Sequence, residues 1–284
     1  MSAVLAMRLP VEQDLAAFVQ LLQRLQLPHR VTEEAGEQLL WVPDETVAEQ
    51  VRGLFERYPQ GAELPAVPVV SGRPGFWRTL RAAPLTLVLL AATLLVALLS
   101  WGGENLAVVH WLSFMDFRVQ GQYLLFVPLS DSLAAGQWWR LWSPALLHFG
   151  VLHLAMNSLW VWELGRRIEW RQGCLVLLML VLSYSLVSNI GQYVWSGPSL
   201  FGGLSGVLYG LLGHCWIYQK LAPNPFYRLP PGVVGMMLIW LLVCMTGIFE
   251  LVQLAAIANA AHVAGLLAGC GTGLLGGALA RSRQ

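Results

Sequence analysis

From Ala82 to Ser100 the chain runs nineteen residues without a charged side chain, long enough as a helix to cross roughly 28 Å at about 1.5 Å per residue. Such a segment cannot be solvated on all sides, so it sets the solvent in which the rest of the chain folds. Five further apolar runs follow, at about 145–164, 173–194, 204–219, 233–249 and 257–280. Only 12% of the residues are charged. The fold expected is therefore an all-α polytopic membrane protein of six spans, preceded by a small α/β domain.

The division rests on charge. The first 72 residues hold ten of the sixteen acidic residues, whereas the apolar runs are separated mainly by basic ones. Residues 1–62 read as a compact soluble α/β unit: a strand at Val4–Arg8, a helix at Val11–Leu27, a hairpin of Arg30–Glu33 with Gln38–Val42 around Glu34-Ala35-Gly36, and a helix at Glu45–Tyr58 capped by Asp44. No catalytic constellation is visible there; the unit reads as an accessory domain, with partner binding, regulation or homo-oligomer formation as the roles open to it. Residues 63–81, rich in Pro, Gly and Val, form a linker, and residues 82–284 form the membrane domain.

Basic residues orient the spans. Arg73, Arg78 and Arg81 precede the first, Arg166, Arg167 and Arg171 separate the second and third, Lys220 and Arg228 the fourth and fifth, and Arg281 and Arg283 end the chain. By the positive-inside rule these positions and both termini are cytoplasmic. The opposite, outer side then carries a long loop, 101–144, whose many Trp, Phe and Tyr residues place it in the interfacial zone of the bilayer. Net charge is only +1, and no basic stripe with interleaved aromatics appears, so nucleic acid is excluded as a partner. Cys174, Cys215, Cys244 and Cys270 lie in apolar runs without metal-type spacing and read as small buried hydrophobes.

Chemistry concentrates at the outer ends of the spans. Gly202-Gly203-Leu204-Ser205-Gly206 stands where the irregular segment from Gly197 gives way to the fourth run. That run is too short to reach both surfaces, so Ser205 lies submerged beside a polar pocket. His262 sits at matching depth in the sixth run, and an ionisable residue inside a span is a functional candidate. Ala261, Gly265, Gly269, Gly273 and Gly277 recur every four residues, as do Gly202, Gly206 and Gly210, which lets two helices approach closely. His262 falls about 20° from Gly269 around its helix and so faces that contact. Serine as nucleophile and histidine as base is the chemistry this pairing suits. His153 and Asn157, one turn apart, with the Ser205 N–H, are candidate donors to an oxyanion; a polar seam between helices is the structural alternative. A metal held by His148, His153 and His262 fits poorly, because the spacing is wrong and no carboxylate accompanies it. No cofactor is called for. His214, nine residues after Ser205, points to the opposite side of its helix and reads as structural.

Trp139-Arg140, the His148 to Asn157 segment with its His-x4-His-x3-Asn spacing, Gly203-Leu204-Ser205-Gly206 and Ala261-His262-Val263-Ala264-Gly265 together resemble the signature of rhomboid intramembrane serine proteases. The N-terminal unit and six runs are similar to the bacterial GlpG-like subgroup. The resemblance implies Ser205 as nucleophile, His262 as base, and His153, Asn157 and the Ser205 amide as oxyanion hole. It further implies Tyr209 packed on the His262 ring, His148 and Gly203 shaping the site, and Trp139, Arg140, Glu169, Gly206 and Gly265 as structural. It implies an endopeptidase of the bacterial inner membrane, open toward the periplasm, that cleaves transmembrane substrates in or near their span. The alternative is a catalytically silent rhomboid-like binder or chaperone. The connection from Trp240 to His262 is longer than the family pattern, which leaves Trp240 and Phe249 as candidates for cap and gate.

Overall fold

The computed structural model describes residues 4–25, 27–58, 80–251 and 257–282. The chain forms two compact units, Met1–Arg73 and Pro74–Gln284. Most of the predicted linker, 63–79, lies outside the described residues.

In the first unit, β1 (Val4–Pro10), β2 (Arg30–Glu34) and β3 (Glu37–Val42) make a sheet of order β1-β3-β2, antiparallel throughout. The β2–β3 hairpin turns on Ala35 (φ 52°) and Gly36 (φ 82°), the pair of positive φ values that a two-residue hairpin turn requires. Helices α1 (Ala16–Arg24) and α2 (Glu45–Arg57) supply Phe18, Leu22, Ala48 and Val51 to a core with Ala6, Leu40 and Val42. Asp44 caps α2 as its sequence position predicts, accepting from the Val47 N–H at 2.9 Å. The first helix is shorter than the Val11–Leu27 read from periodicity, because residues 11–13 turn after β1 and close through the Val11 N–H on the Gly36 carbonyl.

The second unit is helical. Its long elements are α3 (Pro84–Leu99), α6 (Val151–Gln172), α7 (Cys174–Ser196), α8 (Ser205–Leu221), α9 (Val233–Met245) and α11 (Asn259–Arg281), with a short α10 (Ile248–Leu251). Among the described residues α7 and α11 are long and apolar enough to cross a membrane, and α3 and α9 are apolar but shorter. The second run begins later than expected: residues 143–146 form a 3-10 turn, Gly150 at φ 104° precedes the helix, and α6 starts only at Val151. It also ends later, since the Glu163 carboxylate pairs with both Arg166 and Arg167 and lets the helix pass through the charged segment. The fifth run stops at Met245, with Gly247 at φ 74° after it.

The segment 101–144 is more ordered than its aromatic composition conveys. It contains α4 (Leu106–Leu112), a hairpin of β4 (Phe117–Gln120) and β5 (Tyr123–Phe126), α5 (Leu129–Ala134) and three 3-10 turns. Phe117, Leu124 and Phe126 pack toward Leu147, Phe149 and Leu200, beside the segments that carry the site.

The centre of the bundle is α8, whose residues Gly206–Cys215 are all buried. Its contact with α11 is backbone on backbone. A Cβ added at Gly265 would sit 2.0 Å from the Gly206 carbonyl oxygen, and one at Gly269 would sit 1.9 Å from that of Gly210. The four-residue glycine repeat is thus the physical cause of the close approach.

Candidate active site

Ser205 is the first residue of α8, and the loop before it is shaped by two glycines. Gly202 lies against the 3-10 turn, where a Cβ would come within 2.7 Å of Leu147 Cβ and 2.9 Å of the Pro144 carbonyl oxygen. Gly203 has φ 124° and donates its N–H to Pro144 O at 2.9 Å; a Cβ there would meet the His153 ring at 2.8 Å. Only glycine tolerates both the backbone conformation and the contact. The next amide, Leu204, donates to His148 Nε2 at 3.4 Å, and His148 Nδ1 faces the Leu146 carbonyl at 3.2 Å. His148 is therefore a buried brace between the 3-10 turn and the loop, with its ring 4.9 Å from that of His153.

Across the seam, His262 Nε2 lies 2.7 Å from Ser205 Oγ. The imidazole is 6% exposed, and among the described residues its Nδ1 has no hydrogen-bond partner. Among the described residues no carboxylate is hydrogen-bonded to this imidazole. Tyr209, one turn along α8, lays its ring 5.1 Å from the imidazole at 36° and donates its hydroxyl to the Met237 carbonyl at 3.0 Å. Gly206 and Gly265 let the two helices meet here: Cβ atoms at either would collide with Ser188 or with the opposite backbone.

His153 and Asn157 open α6 as expected. His153 reaches Gly203, while the Asn157 side chain, buried, donates to the His153 carbonyl at 2.9 Å. Trp139 stacks on Trp111 at 5.7 Å and donates to its carbonyl at 2.8 Å. Arg140, 1% exposed, donates to the carbonyls of His110 (2.6 Å) and Ser113 (3.0 Å) and to Gln137 Oε1 (2.6 Å). Burial draws its pKa down, and the Asp116 carboxylate opposes that shift. Glu169 accepts from the Leu85 N–H (2.7 Å), the Thr86 N–H (2.9 Å) and Thr86 Oγ1 (2.6 Å), so its carboxylate caps the start of α3.

His214 is buried and ties elements together: Nδ1 faces Thr272 Oγ1 at 3.1 Å and Nε2 faces Gln172 Nε2 at 2.9 Å. Cys215 and Cys244 are buried as predicted, but Cys174 is exposed, because it stands at the first position of α7 with its Sγ 3.1 Å from Glu169 Oε1. Trp240 lies on an exposed face of α9; the side chain of Phe249 falls outside the described residues.

Sequence reading missed a polar group on α7. Ser185, Ser188 and Asn189 line a small cavity that reaches Ser205 and Gly206, and Gln192, one turn further, accepts from the Ala261 N–H at 3.1 Å. The signal was present: four polar residues at spacings of three and four within an apolar run mark a buried face rather than a lipid-facing one.

Known proteins resemble the chain over most of its length. A family model described as the rhomboid N-terminal domain matches residues 1–66, and one described as the rhomboid domain matches residues 135–278. Proteins named Rhomboid protease GlpG are similar over most of their length. The one from Pectobacterium atrosepticum is 33% identical over 267 residues, covering 89% of this chain and 90% of the relative. That from Serratia proteamaculans is 34% identical over 261 residues (87% and 86%), and that from Yersinia pestis 36% over 239 residues (82% and 79%). With both domain models matched in order and these relatives aligned nearly end to end, the chain belongs to the rhomboid family of intramembrane serine proteases.

Proposed function

We propose that the chain cleaves transmembrane proteins in or near their membrane span with Ser205 as nucleophile and His262 as general base. The observation that carries this reading is the 2.7 Å contact between Ser205 Oγ and His262 Nε2, within the reach that proton transfer requires. In the first step Oγ attacks the scissile carbonyl carbon as Nε2 accepts the hydroxyl proton. The oxyanion forms beside the Ser205 N–H at the start of α8, where the helix dipole favours negative charge. His153, held against Gly203, and Asn157 complete the donor set. The C–N bond then breaks, and the imidazolium returns its proton to the leaving amine. Water, deprotonated by His262, releases the acyl group and restores the serine. The polar cavity lined by Ser185, Ser188 and Asn189 lies next to the nucleophile on the protein side and suits a water held for that second step.

The helical scissile bond is shielded by its own backbone hydrogen bonds, so the substrate has to unwind before it presents a carbonyl to Ser205. In the same reading residues 82–284 span the bilayer of the bacterial inner membrane six times. Both termini are cytoplasmic, the site faces the periplasm, and residues 1–62 serve as an accessory domain through which copies of the chain associate. The basic residues between helices support the orientation.

A reconstituted single-span substrate with helix-breaking residues near the outer surface tests the assignment. Ser205→Ala and His262→Ala are each expected to abolish its cleavage while leaving thermal unfolding unchanged within a few degrees. Cleavage retained by either variant would remove that residue from the mechanism.

A further inference from the structure

We infer that Tyr209 and Asn259 are positioning residues that make the geometry of His262 depend on the placement of α9; this rests on the Ser205–His262 reading above. Helix α9 is sparsely covered. Only Met237, Leu241 and Cys244 are buried, a single stripe at spacings of four and three, while Met236, Ile239, Trp240 and Leu242 are all more than half exposed. Apolar contact along so narrow a stripe gives the helix little to fix its position.

Side-chain hydrogen bonds from two neighbours of His262 reach the backbone of that stripe. Tyr209 donates its hydroxyl to the Met237 carbonyl at 3.0 Å, with the same ring 5.1 Å from the imidazole. Asn259 donates its amide to the Cys244 carbonyl at 3.0 Å and stands three residues before His262, in the first turn of α11. The two accepting carbonyls are seven residues apart, or about 10 Å along the axis. A shift of α9 therefore pulls on the ring that packs His262 and on the turn that carries it. The reverse also holds, since coupling between two sites is reciprocal. Nothing in the dyad's own chemistry requires the Tyr209 hydroxyl, because ring packing alone would be satisfied by phenylalanine.

The test uses the full chain in detergent with two readouts: the rate of Ser205 labelling by a fluorophosphonate, and amide hydrogen exchange across Val233–Met245. Tyr209→Phe keeps the ring and releases the Met237 carbonyl, and Asn259→Ala independently releases the Cys244 carbonyl. Each is expected to raise exchange in α9 and to slow labelling roughly threefold to tenfold, the range one neutral hydrogen bond supplies. Slower labelling with unchanged α9 exchange would overturn the inference, as would raised exchange with an unchanged rate. Failure of the underlying dyad reading looks different: the protein without these changes would not label, or Ser205→Ala would label as fast.

Discussion

Substituting Gly269 tests whether the backbone seam between α8 and α11 sets the dyad. A Cβ at this position would lie 1.9 Å from the Gly210 carbonyl oxygen, and real Cβ contacts essentially never fall below 3.0 Å. The obstacle is backbone rather than the end of a side chain, so the helices have to part by the difference, about 1.1 Å, at that level. His262 lies seven residues away on the same helix, and a rigid shift of that size would stretch its 2.7 Å contact with Ser205 well past the hydrogen-bond limit of about 3.2 Å. A misplacement near 1 Å can cost on the order of 100-fold in rate, and overpacking of this kind destabilises by about 1–3 kcal/mol. Gly269→Ala is therefore expected to lower cleavage of a reconstituted substrate about 100-fold, with a reduced melting temperature in detergent. Gly271→Ala is the matched control: it lies two residues on, a Cβ there meets no atom within 4 Å, and activity should remain within about twofold, since helix propensity itself gains from the change. If Gly269→Ala keeps near-full activity, or if Gly271→Ala loses as much, the seam does not position the dyad.

Three other substitutions probe the supports. Glu169→Gln replaces an acceptor-only carboxylate with an amide whose NH2 faces the donors of Leu85 and Thr86; a loss of about 1.5–3 kcal/mol is expected, read as a lowered thermal midpoint. Arg140→Lys removes the fork that joins His110, Ser113 and Gln137, and limited proteolysis should cut within residues 101–144 faster than in the unaltered protein. Gly203→Ala forces a side chain onto a φ of 124° and into the His153 ring, at a cost of about 1–3 kcal/mol; turnover and fluorophosphonate labelling of Ser205 should both fall, because each develops negative charge on an oxygen beside the same donors.

Much of the site was legible because it depends on features a one-dimensional pattern carries. Glycine every four residues specifies a close helix contact whatever surrounds it, and the shortness of the run after Gly203 places Ser205 near an end rather than mid-span. The Asp44 cap was legible for the same reason, being set by a few adjacent residues. The structure of residues 101–144 was not: its hairpin and short helices are stabilised by distant partners, such as Arg140 on the carbonyls of His110 and Ser113, which no periodicity reveals. The start of α6 was misplaced because an apolar 3-10 turn at 143–146 has the same composition as the helix it precedes. Ser185, Ser188, Asn189 and Gln192 carry a one-face spacing in the sequence, but what that face meets is set by packing: Ser185, Ser188 and Asn189 line the cavity at Ser205, and Gln192 holds the Ala261 N–H.

The central claim is that Ser205 is a nucleophile activated by His262 across the helix seam. Its most direct measurement is fluorophosphonate labelling of the folded protein, with the modified residue located by mass spectrometry of peptides. A single adduct on Ser205, lost in Ser205→Ala and slowed by at least about 10³-fold in His262→Ala, is the predicted result. An adduct on another residue, or labelling of Ser205 that proceeds unchanged without His262, would contradict it.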